Sequence, residues 1–193
     1  MRALRDIAGA LAVLALAACA TVGPAPTPVE FPVAKAFDAA GRLSARHGND
    51  GVAVHFTWTH APRDDVFDVA TPLGQTVARL RGGGGGVFVE RPGEPPAQYP
   101  DWNALTQSVL GVAIPVDGLA SWMQGAPSPA AASDVERDSA GRPSVLRQQG
   151  WEIVYAYGDG ELAGRPVRLV MRYPGSEPIE VRLVVDRFAA VTP

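Results

Sequence analysis

Between Val52 and Thr59, large apolar residues (Val52, Val54, Phe56, Trp58) alternate with small or polar ones (Ala53, His55, Thr57, Thr59). That period of two predicts a strand with one dry face and one wet face. The same pattern recurs through most of the chain. FDAAGRLSAR (37–46) places Leu43 and Ala45 on one side and Arg42, Ser44 and Arg46 on the other, and VFDVA, QTVARLR and VFVERP follow as further strands. Near the C-terminus three strong strands align Trp151, Ile153, Tyr155 and Tyr157, then Val167, Leu169, Met171 and Tyr173, then Ile179, Val181, Leu183 and Val185. Their opposite faces carry Glu152, Arg168, Arg172, Glu180, Arg182 and Asp186, so one side of this sheet faces water. The linkers GDGELAG and PGSEP suit antiparallel hairpins rather than helical crossovers.

One stretch, 101–125, has the helical period. Asp101 is placed to cap a first helix with Trp102, Leu105 and Val109 along one face, and Gly111 is a natural stop. Pro115 blocks simple continuation, Asp117 offers a second cap, and Leu119, Trp122 and Met123 form a second stripe before Gly125. Two apolar stripes in a strand-rich chain need a sheet face to cover. The expected fold is therefore mainly β: a partly closed, strongly curved, barrel-like antiparallel sheet of about nine to eleven strands with two short helices against its inner side. Periodicity leaves open whether the inner face encloses a ligand cavity or a filled core. The stretch APSPAAASDVERDSAGRP reads as an exposed, mobile excursion with at most one weak strand.

The chain has 193 residues, 47% hydrophobic, with a formal net charge of −3, as expected of one globular domain. Charges of both signs are interspersed and no Lys/Arg cluster offers a phosphate footprint, so nucleic acid is not an expected partner. At the N-terminus Arg2 and Arg5 precede an apolar run from Ile7 to Ala17, the length of a secretory signal core rather than of a membrane span. Leu16-Ala17-Ala18-Cys19 then resembles a bacterial lipobox, with the only cysteine of the chain at the position that would be lipidated. A single acyl chain anchors marginally, but several, at about 0.8 kcal/mol per buried CH₂, anchor permanently. Ala20 is not the aspartate of an inner-membrane retention signal, so delivery to the periplasmic face of the outer membrane is expected. The expected organisation is a signal peptide over 1–18, a lipidated Cys19 with a Pro-rich tether over 19–34, and a folded domain over 35–193. At about 3.1 Å per residue the tether would reach roughly 40 Å.

Chemistry-bearing groups are sparse. His47, His55 and His60 lack cysteine or carboxylate partners at metal-ligand spacing, no serine sits in a Gly-x-Ser-x-Gly elbow, and Asp64, Asp65, Asp134 and Glu136 fall in predicted loops. Neither a catalytic group nor a metal site is expected, nor a cofactor beyond the covalent lipid on Cys19. Gly82 to Gly86 do not form a phosphate loop, because no Gly-Lys-Ser/Thr follows and strands flank the run; they read as a floppy hairpin turn. Aromatic and aliphatic surface remains, and it points to binding rather than bond-making.

Several segments together resemble the outer-membrane lipoprotein receptor family LolB. They are the lipobox, GRLSAR, the strand ending HFTWTH, the turn Thr71-Pro72-Leu73-Gly74-Gln75-Thr76, Leu110-Gly111 with Ile114-Pro115, Leu119-x-x-Trp122-Met123-x-Gly125, GWEIVYAY and the paired C-terminal strands. The resemblance implies a LolA/LolB-like half-barrel whose helices cover an apolar cavity for acyl chains. Its implied partners are a LolA-like periplasmic carrier, acylated client lipoproteins and outer-membrane lipid, and the chain is expected to act as a monomer. Face assignment nominates Phe56, Trp58, Trp102, Leu105, Trp122, Met123, Trp151, Ile153, Tyr155, Leu169 and Met171 as cavity liners, the methionines being easily repacked around a variable guest. The resemblance also implies that Leu73 projects from its turn to deliver the client to the membrane. Without the resemblance, a hairpin-tip leucine folded back on the core is the plainer reading. The alternative function is a lipid-anchored envelope-assembly scaffold that acts by protein contacts, its barrel core filled.

Overall fold

The computed structural model describes residues 32–110, 113–175 and 178–191. The leader, Cys19 and the part of the tether that precedes Pro32 lie outside the described residues. Within them, eleven strands form one continuous antiparallel sheet. They are β1 (Phe37–His47), β2 (Asp50–Ala61), β3 (Asp64–Ala70), β4 (Thr76–Gly83), β5 (Gly86–Glu90), β6 (Ala97–Tyr99), β7 (Ser133–Arg137), β8 (Pro143–Gln148), β9 (Trp151–Tyr157), β10 (Pro166–Tyr173) and β11 (Ile179–Ala190). Two helices, α1 (Trp102–Leu110) and α2 (Val116–Trp122), separate β6 from β7.

The sheet order is β6-β5-β4-β3-β2-β1-β11-β10-β9-β8-β7. Strands adjacent in sequence pair throughout, except across the helical segment, where β6 and β7 become the two edges. The halves are joined by β1, which pairs with the last strand, β11, in a register that runs from Phe37↔Ala190 to His47↔Ile179. A bulge at Ala40/Gly41 bends this central pair, and a side chain at Gly41 would collide with the Val184 carbonyl and the Phe56 ring.

Period-two patterning matches the long strands and falls short where strands are brief. β6 has three residues, too few to show alternation. In the Pro/Ala/Ser-rich excursion the structure holds β7 and the start of β8. Asp134 and Glu136, expected in a loop, stand exposed on β7. The excursion is also pinned rather than free at Ser128, which is buried and donates its N–H to Gln148 Oε1 at 2.8 Å.

The helices differ from expectation in two details. Asp101 caps α1 as anticipated, accepting from the Ala104 N–H at 2.7 Å. Val109, however, is 55% exposed and does not share the buried face of Trp102 and Leu105. For α2 the capping position is Pro115, without a side-chain cap; Asp117 lies inside the first turn, where its charge suits the helix dipole instead.

Candidate functional site

Registered strands set the inward-facing residues in rows. One row runs Ala45, Val181, Met171, Ile153 and Leu146 across β1, β11, β10, β9 and β8, and the next runs Leu43, Leu183, Leu169 and Tyr155. Phe37, Ala39, Phe56 and Trp58 continue the face through β1 and β2, and Leu119, Ala120, Trp122 and Met123 of α2 and its C-cap join the same cluster. Nine of the anticipated liners fall in it: Phe56, Trp58, Trp122, Met123, Trp151, Ile153, Tyr155, Leu169 and Met171. Leu105 belongs to a second cluster with Val87 and Val89, and Trp102, partly buried, packs against both. The nine are at most 8% exposed. Among the described residues these nine are therefore covered, with Trp122 and Met123 of the helical segment clustered on the sheet residues.

A few polar ties fasten this cover. Trp122 donates its Nε1–H to Gln148 Oε1 at 2.7 Å, and the Gln148 amide nitrogen donates to the carbonyls of Ser128 and Ala131 at 2.8 and 2.7 Å. Beyond the helix, Gln124 accepts from the Ala34 N–H at 2.7 Å and donates to the Ala120 carbonyl at 3.0 Å. Thr106 of α1 accepts from the Ile114 N–H at 2.8 Å and so holds the approach to α2. Sequence reasoning passed over Gln124 and Gln148 because polar residues at inward positions interrupt an apolar pattern. The signal available was positional, since Gln148 follows Leu146 at a spacing of two.

Two other polar groups lie inside. Asp65, expected in a solvated loop, is only 6% exposed on β3, where its Oδ1 accepts from Trp58 Nε1–H and meets His60 Nδ1, each at 2.7 Å. Alternation explains the error: Asp64 also lies on β3 and points outward, and Asp65, one residue on, points inward. The Tyr155 hydroxyl is buried with no hydrogen-bond partner among the described residues, and burial pushes its pKa well above the usual tyrosine range. Among the described residues no group of three or more His, Cys, Asp or Glu is placed to hold a metal ion.

At the hairpin end of the sheet the inner face has a rim. Ala45, Val52, Ile179 and the end of α1 at Val109, together with Arg46, His47 and Asp50, line an opening of about 260 Å³, and Val52 and Val109 present apolar surface there. This is smaller than the roughly 300–1,000 Å³ of typical ligand pockets. Leu73 stands apart from the core on the β3–β4 turn. It is 91% exposed, on a turn tied by Thr71 N–H to the Gln75 carbonyl and Gly74 N–H to the Thr71 carbonyl, each at 2.8 Å, with Gly74 in the left-handed region. Its side chain does not fold back.

Comparison with known proteins agrees with this architecture. The profile of the family described as Outer membrane lipoprotein LolB matches residues 35–188. An outer-membrane lipoprotein LolB of Cupriavidus metallidurans is 37% identical, covering 89% of each chain. Those of Thiobacillus denitrificans and Azoarcus sp. are 36% and 35% identical, covering 89% and 97% of this chain and 90% and 94% of theirs. Among solved structures, a LolA superfamily protein from Nitrosomonas europaea superposes with a TM-score of 0.54 at 12% identity, over 86% of this chain and 90% of the other, a likeness of fold. A profile match across the folded domain, joined to relatives of this identity along nearly the whole length, places the chain in the LolB family of outer-membrane lipoproteins.

Proposed function

We propose that this protein is an outer-membrane receptor that takes the acylated N-terminus of a client lipoprotein from a LolA-like periplasmic carrier and passes it to the periplasm-facing monolayer. The observation that carries the reading is the cover: a seven-residue helix lies over an apolar sheet face, held at its edges by a handful of side-chain hydrogen bonds. In this reading Cys19 carries the receptor's own lipid, and the cover swings aside to admit the guest's acyl chains.

The closed interior is useful to such a mechanism. Two long acyl chains hold about thirty methylenes, which at about 0.8 kcal/mol each would yield some 24 kcal/mol if fully buried, beyond the range of noncovalent complexes. A receptor with that affinity would never release its client. If the guest must first displace Trp122 and Met123 from Trp151, Ile153 and Met171, much of the gain is offset by the apolar surface the cover loses. The net step then stays small, and about 1.4 kcal/mol already biases a transfer tenfold. The orphaned Tyr155 hydroxyl supports the same reading, because a carbonyl of the guest's amide or ester linkage could accept its hydrogen bond once inside.

The second reading, an envelope-assembly scaffold working by protein contacts, draws on the closed inner face, since a filled core needs no guest. The two are separated by mixing the chain with carrier loaded with a labelled acylated client. Client moving onto the chain is the expected outcome; client staying on the carrier removes the receptor reading and leaves the scaffold.

A further inference from the structure

The outward face of the central strands carries charge that client transfer does not use. Across β2, β1, β11 and β10, His55, Arg42, Val184 and Arg168 stand side by side, and Ala53, Ser44, Arg182 and Val170 form the next row. Arg172 follows on β10, paired in register with Glu180. These strands floor a shallow groove of about 490 Å³ to which four arginines, Arg42, Arg168, Arg172 and Arg182, contribute, while no carboxylate lines it. Arg42 is held by Asp186 at 2.8 Å, and Arg172 and Arg182 share Glu180 at 3.0 and 2.7 Å. Arg168 makes no ion pair among the described residues. Four guanidinium groups against two carboxylates leave a local positive excess on a chain whose overall formal charge is −3.

A convex sheet face does not need this excess for solvation. Directly beyond Arg172 the balance is reversed: its register partner on β9, Glu152, bonds Arg147, which also meets Asp134 and Glu136. The groove is also placed next to the apolar tip, since Pro72, the neighbour of Leu73, forms part of its wall. Guanidinium groups present paired N–H donors that match phosphate oxygens; Arg168 has no carboxylate to give up, whereas Arg42, held by Asp186 through two hydrogen bonds, contributes its charge more than its donors.

We propose that this groove docks the phosphate headgroups of anionic membrane lipid, and that Arg42, Arg168, Arg172 and Arg182 thereby turn the Leu73 tip toward the monolayer. The proposal rests on the reading that the Leu73 turn meets the membrane, and adds what orients it. Surface fields decay within about 8 Å at physiological salt, so the arginines act only once this face is near the bilayer. Two uncompensated charges beside an anionic surface favour the face-on orientation by about thirtyfold.

The test uses the mature acylated protein in vesicles, with a fluorophore on Gln75→Cys in the exposed turn and a quencher on lipid headgroups. Quenching is expected to be stronger in vesicles containing phosphatidylglycerol than in phosphatidylcholine alone, to weaken as salt rises, and to fall to the phosphatidylcholine level in the Arg168→Gln/Arg172→Gln variant. Equal quenching in both compositions overturns headgroup docking while leaving the turn at the membrane. Absence of quenching in both removes the turn reading and this proposal with it. Phosphatidylglycerol-dependent quenching that inorganic phosphate abolishes at constant ionic strength marks a small-anion site instead, and also overturns the proposal.

Discussion

Gln148 has both ends of its amide engaged inside the protein: its oxygen takes the Trp122 indole N–H and the Ser128 N–H, and its nitrogen serves two carbonyls. Truncation to alanine strands two buried donors, each costing about 1–3 kcal/mol. Gln148→Ala is therefore expected to lower unfolding free energy by about 2–6 kcal/mol in urea titrations, and to raise binding of a hydrophobic dye because the cover loosens. Unchanged dye binding would show that Gln148 supports the fold without restraining the cover. Tyr155 is the opposite case, since its hydroxyl is buried without a partner among the described residues. Tyr155→Phe is expected to keep or raise stability by about 1 kcal/mol. The substitution should also change the alkaline limb. Burial raises the Tyr155 pKa, and burial with the nearby Asp138 charge pushes Tyr157 up to about 12, its hydroxyl donating to the Pro143 carbonyl. A phenol that ionises higher in the folded state than in the unfolded one contributes fully below about pH 10 and loses that contribution as pH rises toward the folded value. Urea midpoints are thus expected to fall from about pH 10 upward in the parent and less steeply in Tyr155→Phe. Equal slopes would show that Tyr155 is not responsible.

The glycine run shows what periodicity could and could not reveal about an element. A hairpin turn was legible there, but not that the strands would run into the glycines and leave only two for the turn. β4 extends through Gly83, β5 begins at Gly86, and Gly84 and Gly85 make the connection. Two of the five have a steric reason to be glycine. A Cβ on Gly82 would run into the Trp102 indole, and Gly86 has φ of 106° with the Tyr99 carbonyl close by. Gly82→Ala should push Trp102 off β4, loosen α1 and cost about 1–3 kcal/mol, whereas Gly84→Ala, which meets nothing within 4 Å, should be neutral or slightly stabilising. Equal thermal shifts in the two variants would remove the Trp102 explanation. No one-dimensional pattern could have shown this contact, because Trp102 and Gly82 lie on different elements. The long strands were readable since each sets its apolar residues on one face over several consecutive pairs of positions. β6 and β8 were not, the first being too short and the second ending inward on a glutamine. Val109 misled for a related reason: helical spacing gives a direction, and only the neighbouring elements determine whether that direction is covered.

At the scale of the molecule, the fold keeps the apolar interior and the exposed Leu73 tip apart. The interior is built from β1, β2, β8 to β11 and α2, while Leu73 projects from the β3–β4 turn with no place in either apolar cluster. This separation makes the proposed steps of uptake and delivery independently testable. Leu73→Glu replaces an exposed side chain, so thermal unfolding and uptake of client from the carrier are expected to match the parent. Delivery should suffer, because a carboxylate entering the bilayer costs up to about 3 kcal/mol at depth, enough to slow insertion by about a hundredfold if the tip must enter. Release of labelled client into vesicles from preloaded receptor measures that step alone. Parent-like release by Leu73→Glu would mean that the tip is a passive turn, and the acyl chains would then have to leave by way of the rim at Val52 and Val109. In that case Val109→Glu, rather than Leu73→Glu, becomes the substitution that blocks delivery, because it places the charge where the chains pass. Comparing the two variants in one release assay therefore locates the exit, and similar loss in both would mean that tip and rim meet the membrane together.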